Sequence, residues 1–161
     1  MIAAEQATAK TLMDEGIKSV SPEMNVEDCI QFLINNSLPN APVVADGKLV
    51  GFISEADCLS YLSNEIYFSM PDVKVENLMK SHPLCVKEDT DLFTIASLFT
   101  SNGFRKIPVV EGLKLVGMVD RSKTLKFLHD YHQAIKKEGK SKKDRPNLKE
   151  LVNHRFIIQN K

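Results

Sequence analysis

The sequence predicts a mixed α/β fold of two β-α-β-β-α repeats, their sheets packed together about a pseudo-twofold axis. Three observations carry that expectation: a string of residues that returns 66 positions later, a hairpin signature in each copy, and a capped amphipathic helix at the same place in both. Pro42-Val43-Val44 and Lys48-Leu49-Val50-Gly51 recur as Pro108-Val109-Val110 and Lys114-Leu115-Val116-Gly117, with 108 − 42 = 66 and 117 − 51 = 66. The offset holds without a gap from Leu12 against Leu78 to Leu62 against Leu128, and 13 of the 51 aligned pairs are identical. Chance would scatter a few matches, whereas these cluster on the hairpin, so the chain contains an internal duplication.

Each copy reads through the same elements. Asp46-Gly47 separates two short apolar runs, Pro42 to Ala45 and Leu49 to Ile53, and this dipeptide favours the positive φ angles of a tight hairpin turn. Ahead of the hairpin, Asn25 stands as a cap before Val26, Cys29, Ile30 and Leu33, the spacing of a helix that buries one face. Asp91 with Leu92, Ile95, Ala96 and Phe99 repeats both the cap and the stripe. A brief extended segment near Lys18 to Val20, ended by Ser21-Pro22, supplies the strand before that helix. The crossing helix implies a parallel strand pair with a right-handed crossover, and the hairpin adds an antiparallel third strand. After the hairpin, Ser54-Glu55-Ala56-Asp57 opens a closing helix that the repeat carries to about Leu62. Helices on one side leave the other face of each sheet bare, so a single copy would be marginal and the two sheets should cover each other.

The chain divides at its repeats. Residues 1–66 form the first repeat with a lead-in helix from Ala3, and residues 67–137 form the second, entered through a short helix at Val75 to Met79. Tyr61, Tyr67 and Phe68, near the join, are read as cover for the core. Leu128 to Lys137 extends the last helix. Residues 138–161 hold a charged linker punctuated by Gly139 and Pro146, then a short amphipathic helix opened by Asn147 and Glu150.

Composition narrows the function classes. Hydrophobic residues make up 43% and charged residues 26%, the balance of an ordinary globular protein, and the formal net charge is zero. From Lys136 onward nine Lys/Arg face three Asp/Glu, a local +6 balanced by −6 before it. Nucleic acid or an acidic protein is one reading of that run, but a solvated linker is the favoured one. Three cysteines, Cys29, Cys58 and Cys85, give an odd number without Cys-x-x-Cys spacing, which speaks against a disulfide framework or zinc site and for a reducing compartment. No apolar run approaches the roughly 18 residues of a membrane span, and Met1 to Lys10 lacks a signal-peptide core, so a cytoplasmic protein is expected. The histidines are scattered and no nucleophile, base and orienter stand together, so neither a metal site nor catalysis is expected.

The lead-in Leu-Met, the Pro-Val-Val before each hairpin and the run Gly51-Phe52-Ile53-Ser54-Glu55-Ala56-Asp57 together resemble a tandem pair of CBS domains (cystathionine β-synthase motifs, a Bateman module) over roughly Lys10 to Leu128. The resemblance implies a regulatory module that binds an adenosine-containing ligand, AMP, ADP or ATP, in the clefts between the copies. It assigns Asp57 to the ribose hydroxyls and Ser54 toward the phosphate. A carboxylate can accept two charge-assisted bonds from a cis-diol, and free N–H groups at a helix start favour a phosphate. Ile17, Ala41 and Pro42 match family positions that wall the adenine slot, and without the resemblance they read equally as plain core.

Two features qualify that assignment. Ser54-x-x-Asp57 is equally a capping box, able to satisfy its own backbone donors without a ligand. In the second copy Asp120-Arg121-Ser122-Lys123 keeps a cap at Asp120 but sets Lys123 where the ribose carboxylate belongs. An ammonium donates only and cannot accept from a diol, so one competent and one degenerate site are expected. Lys123 and Arg121, with Arg105 and Lys106, either form a basic patch facing a phosphate held over Asp57 or stand as solvated surface cations. The sequence reading is a nucleotide-sensing module that signals to an effector protein, and the resemblance further implies that it is a homodimer. Its alternatives are a structural or dimerisation module without ligand, and a nucleic-acid regulator acting through the basic tail.

Overall fold

The computed structural model describes residues 6–68 and 72–137; the linker and helix expected within 138–161 lie outside these residues. In chain order the elements are α1 (Ala9–Leu12), α2 (Val26–Asn35), β1 (Asn40–Ala45), β2 (Lys48–Ser54), α3 (Glu55–Phe68), α4 (Val75–Leu78), β3 (Lys80–Ser81), β4 (Val86–Lys87), α5 (Leu92–Ser101), β5 (Lys106–Glu111), β6 (Lys114–Asp120) and α6 (Arg121–Lys137). They form two compact units. One, the Asp57 unit, comprises Ile17–Pro83 with Gly112–Leu115; the other, the Lys123 unit, comprises Met1–Gly16, Leu84–Glu111 and Val116–Lys161.

In the Asp57 unit β1 and β2 run antiparallel with Asn40 opposite Ser54, Ala41 opposite Ile53 and Pro42 opposite Phe52. Val20 bridges Val43 in parallel, as a strand entering through a crossover helix must. Side chains alternate between the faces of a strand, so Ala41, Val43 and Ile53 share one face, and there they meet Cys29 and Leu33 of α2 and Cys58 of α3 in a buried core. Asn40, Pro42, Phe52 and Ser54 project from the other face. The short β3 adds to the free side of β2, with Lys80 opposite Phe52 and Ser81 opposite Gly51. Two residues are too few for a strand signature, so this pairing had no counterpart in the sequence reading.

The Lys123 unit repeats the scheme. β4 pairs in parallel with β5, Val86 opposite Val109, and Leu92, Ile95 and Phe99 of α5 pack with Ile107, Val109 and Val119. Both helix caps form. Asn25 Oδ1 accepts from the Glu27 N–H at 2.9 Å, and Asp91 Oδ1 accepts from Phe93 and Thr94 at 3.0 and 2.9 Å. Both hairpin turns use positive φ, but differently. Asp46 and Gly47 are both left-handed, at 49° and 75°, which is the I′ pattern, whereas the second turn has positive φ only at Gly112, at 61°, which is the II′ pattern.

Two elements differ from expectation. α3 continues past Leu62 to Phe68 because nothing in Ser63 to Phe68 breaks a helix until Pro71 approaches. The lead-in segments group by space rather than by chain order. α1 docks at the start of α5, where Ala9 N–H donates to Thr90 O at 2.8 Å and Leu92 N–H to Ala7 O at 3.0 Å. α4 docks in the same way at the start of α2, with Val26 N–H on Val73 O and Val75 N–H on Met24 O, both 2.9 Å. Each lead-in thus serves the helix of the other repeat.

The close of each lead-in explains the two glycines shared by the repeats. Met79 lies on Gly51, where a Cβ would sit 2.4 Å from its sulfur, and Met13 lies on Gly117, where a Cβ would also sit 2.4 Å from sulfur. Only a residue without a side chain admits the thioether there.

Candidate functional site

At the start of α3 the Ser54-Glu55-Ala56-Asp57 run forms the expected capping box. Ser54 N–H donates to Asp57 Oδ2 at 2.9 Å, the Ser54 hydroxyl donates to the same oxygen at 2.5 Å, and Asp57 N–H donates to Ser54 Oγ at 3.3 Å. The cap consumes one carboxylate oxygen only. Oδ1 accepts no hydrogen bond among the described residues, and its near neighbour is the Lys80 ammonium at 3.9 Å. The cap therefore leaves the second oxygen of the same carboxylate uncommitted.

The residues around Asp57 come from the outer face of the hairpin. Asn40 lies directly across from Ser54, and its Oδ1 is buried without a hydrogen-bond partner among the described residues. A buried acceptor left unpaired costs about 1–3 kcal/mol, so an incoming donor has a free energy to recover there. Pro42 is buried on this face. Ala41 is fully buried on the other, with its methyl in the helix-side core. Ile17 begins the segment of this unit and is half-buried.

The Lys123 unit holds the other predicted residues. Asp120 caps α6, accepting from Ser122 and Lys123 N–H at 2.7 and 3.2 Å. Arg121 N–H donates to the Arg105 carbonyl at 2.9 Å, so these two residues are neighbours and both are exposed. The Lys123 ammonium is hydrogen-bonded to Asp14 Oδ1, and the Asp14 backbone exchanges two bonds with Met118. Lys123 is thus engaged within its own unit. Lys106 is half-buried at the start of β5.

A family model of the CBS domain matches residues 9–64 and again residues 75–130. The chain belongs to the CBS domain family. Among curated relatives of this CBS pair are the uncharacterized protein MJ1225 of Methanocaldococcus jannaschii, 27% identical over 117 residues that make up 66% of this chain and 42% of that protein, and the chloroplastic CBS domain-containing protein CBSX1 of Arabidopsis thaliana, 28% identical over 142 residues, 70% of this chain and 59% of that one. The chain thus spans about two fifths to three fifths of these relatives' lengths. Among solved structures, Arabidopsis CBSX2 in complex with AMP superposes with a TM-score of 0.67 at 28% identity, covering 78% of this chain and 98% of that one. The cytosolic domain of the Mg2+ channel MgtE in complex with ATP gives a TM-score of 0.65 at 28% identity, covering 76% and 49%.

Within this CBS pair, sequence reasoning passed over Lys80, Asp14 and Asn40. The signal for the first two was present: 80 − 14 = 66 and 123 − 57 = 66, so Asp14/Lys80 and Asp57/Lys123 are two aligned pairs of opposite sign. The three thiols behave as core. The bond to Cys58, together with burial, pushes the Cys29 thiol up, and burial does the same to Cys85. Among the described residues no cluster of three or more His, Cys, Asp or Glu is placed to hold a metal, and no helix is long and apolar enough to cross a membrane.

Proposed function

We propose that this protein is a regulatory, non-catalytic module that binds an adenosine nucleotide of the AMP, ADP or ATP class at Asp57 and passes a change of conformation to an effector protein. The observation that carries the reading is the divided role of the Asp57 carboxylate. One oxygen builds the helix start that would meet a phosphate, and the other, on a side chain 19% exposed, is left to accept from a ribose diol. The likeness to CBSX2 solved with AMP and to the MgtE domain solved with ATP supports the ligand class. Ile17 and Pro42, in the same unit as Asp57, belong to this reading as auxiliary positions, and the three free thiols suit a reducing, cytoplasmic setting.

Calorimetric titration of the full chain with AMP, ADP and ATP tests it. Asp57→Asn keeps an oxygen for the Ser54 cap but turns a donor toward the diol, so binding should fall about a hundredfold while the fold survives. Unchanged affinity in that variant would leave Asp57 a cap and nothing more.

A dimer of the module is the assembly we favour. Leu59 on α3 and Leu125 on α6 occupy aligned positions, 125 − 59 = 66, and are 64% and 68% exposed. Apolar side chains repeated at one position of both closing helices suit burial against a second copy. Leu59→Glu with Leu125→Glu should yield a monomer in analytical ultracentrifugation; a wild type that sediments as a monomer contradicts the assembly.

A further inference from the structure

We propose that Lys80 selects the charge class of the ligand at Asp57, favouring phosphorylated adenosine compounds over neutral or sulfonium-bearing ones. This rests on the nucleotide-binding reading above and adds to it the residue that discriminates among adenosine ligands.

β3 sets Lys80 opposite Phe52, one pleat along from Ser54, so its side chain leaves the sheet on the face that carries Ser54 and Asn40. Its ammonium stands 3.9 Å from Asp57 Oδ1, and the side chain as a whole is 77% exposed. That separation is beyond hydrogen-bond reach, so the three N–H donors are not consumed by the carboxylate. Lys123 in the other unit is the useful contrast, because its ammonium is hydrogen-bonded to Asp14.

The electrostatic argument follows from Asp57 itself. A carboxylate that grips a ribose also repels any phosphate attached to that ribose and attracts a sulfonium. Lys80 cancels that bias at its source and leaves donors free for an anion. Its removal should therefore act with opposite sign on the two ligand classes. A residue that merely held β3 in place would weaken all of them alike.

The test is calorimetric titration of the full chain with AMP, adenosine and S-adenosylmethionine, using wild type, Lys80→Ala and Lys80→Arg. Lys80→Ala should weaken AMP about tenfold, equivalent to about 1.4 kcal/mol, hold adenosine within about twofold, and leave S-adenosylmethionine unchanged or tighter. Lys80→Arg should restore AMP. Parallel loss of AMP and adenosine, or no change in either, overturns the proposal. If wild type binds none of the three and neither ADP nor ATP, the proposal and the nucleotide reading fall together. If AMP binding is lost in Asp57→Asn but kept in Lys80→Ala, the selector alone is refuted.

Discussion

The Asp57 unit and the Lys123 unit have the same internal construction with reversed polarity. In each, a lead-in segment ends in a methionine laid on a glycine, Met79 on Gly51 and Met13 on Gly117. The next residue of the lead-in meets the third residue of the closing helix. In one unit that is Lys80 against Asp57, in the other Asp14 against Lys123. The packing contacts have stayed the same across the duplication, while the charges have changed as matched pairs. Chain-order pairing of the same four residues would set Asp14 against Asp57 and Lys80 against Lys123, like against like. Polarity therefore agrees with the exchange of lead-ins, and it leaves a carboxylate at the third position of the closing helix in one unit only.

Three sets of substitutions would break or sharpen this contrast. The largest effect is expected from Asp57→Asn, with the roughly hundredfold loss of nucleotide described above, set against Lys123→Ala, which should leave AMP affinity at Asp57 within about threefold by calorimetry. Next come the glycines. A Cβ on Gly117 would stand 2.9 Å from the Met13 Cβ, which is fixed to the backbone, whereas the tightest contact at Gly51 is the movable Met79 sulfur. Gly117→Ala should cost about 1–3 kcal/mol in denaturant melts and Gly51→Ala less, with Met79→Ala relieving the second better than Met13→Ala relieves the first. Equal costs at the two sites would mean that the lead-ins are equally free to move. The smallest effect belongs to the exposed ion pair: Asp14→Lys should lower stability by no more than about 1 kcal/mol, and adding Lys123→Asp should recover it in a double-mutant cycle.

Much of the local structure was legible before any fold was seen. The Asn25 and Asp91 caps, the apolar stripes behind them, the Asp46-Gly47 turn and the Ser54–Asp57 box all form as their residue types require, because each depends on neighbours within four residues. α3 runs past the end of the repeat because Ser63 to Phe68 contain neither proline nor glycine to interrupt it, a feature the 66-residue repeat does not encode. Of the site, Ser54 and Asp57 could be read as a pair. Lys80 could not, since a lone surface lysine has no local pattern and gains meaning only from the strand that pairs it with Phe52. Ala41 and Pro42 are adjacent in sequence but point to opposite faces, a separation that strand pairing and burial make plain.

By itself the sequence determined that the chain is a duplication, where its helices start, how its hairpins turn and which carboxylate stands at a helix start, since all of these are set by short-range sterics and hydrogen bonding. Only the tertiary structure decided that each lead-in docks on the other repeat's elements and that Lys80 stands beside Asp57. Those facts depend on residues tens of positions apart meeting in space, and the free energy that brings them together comes from burial of whole faces, which no local pattern specifies.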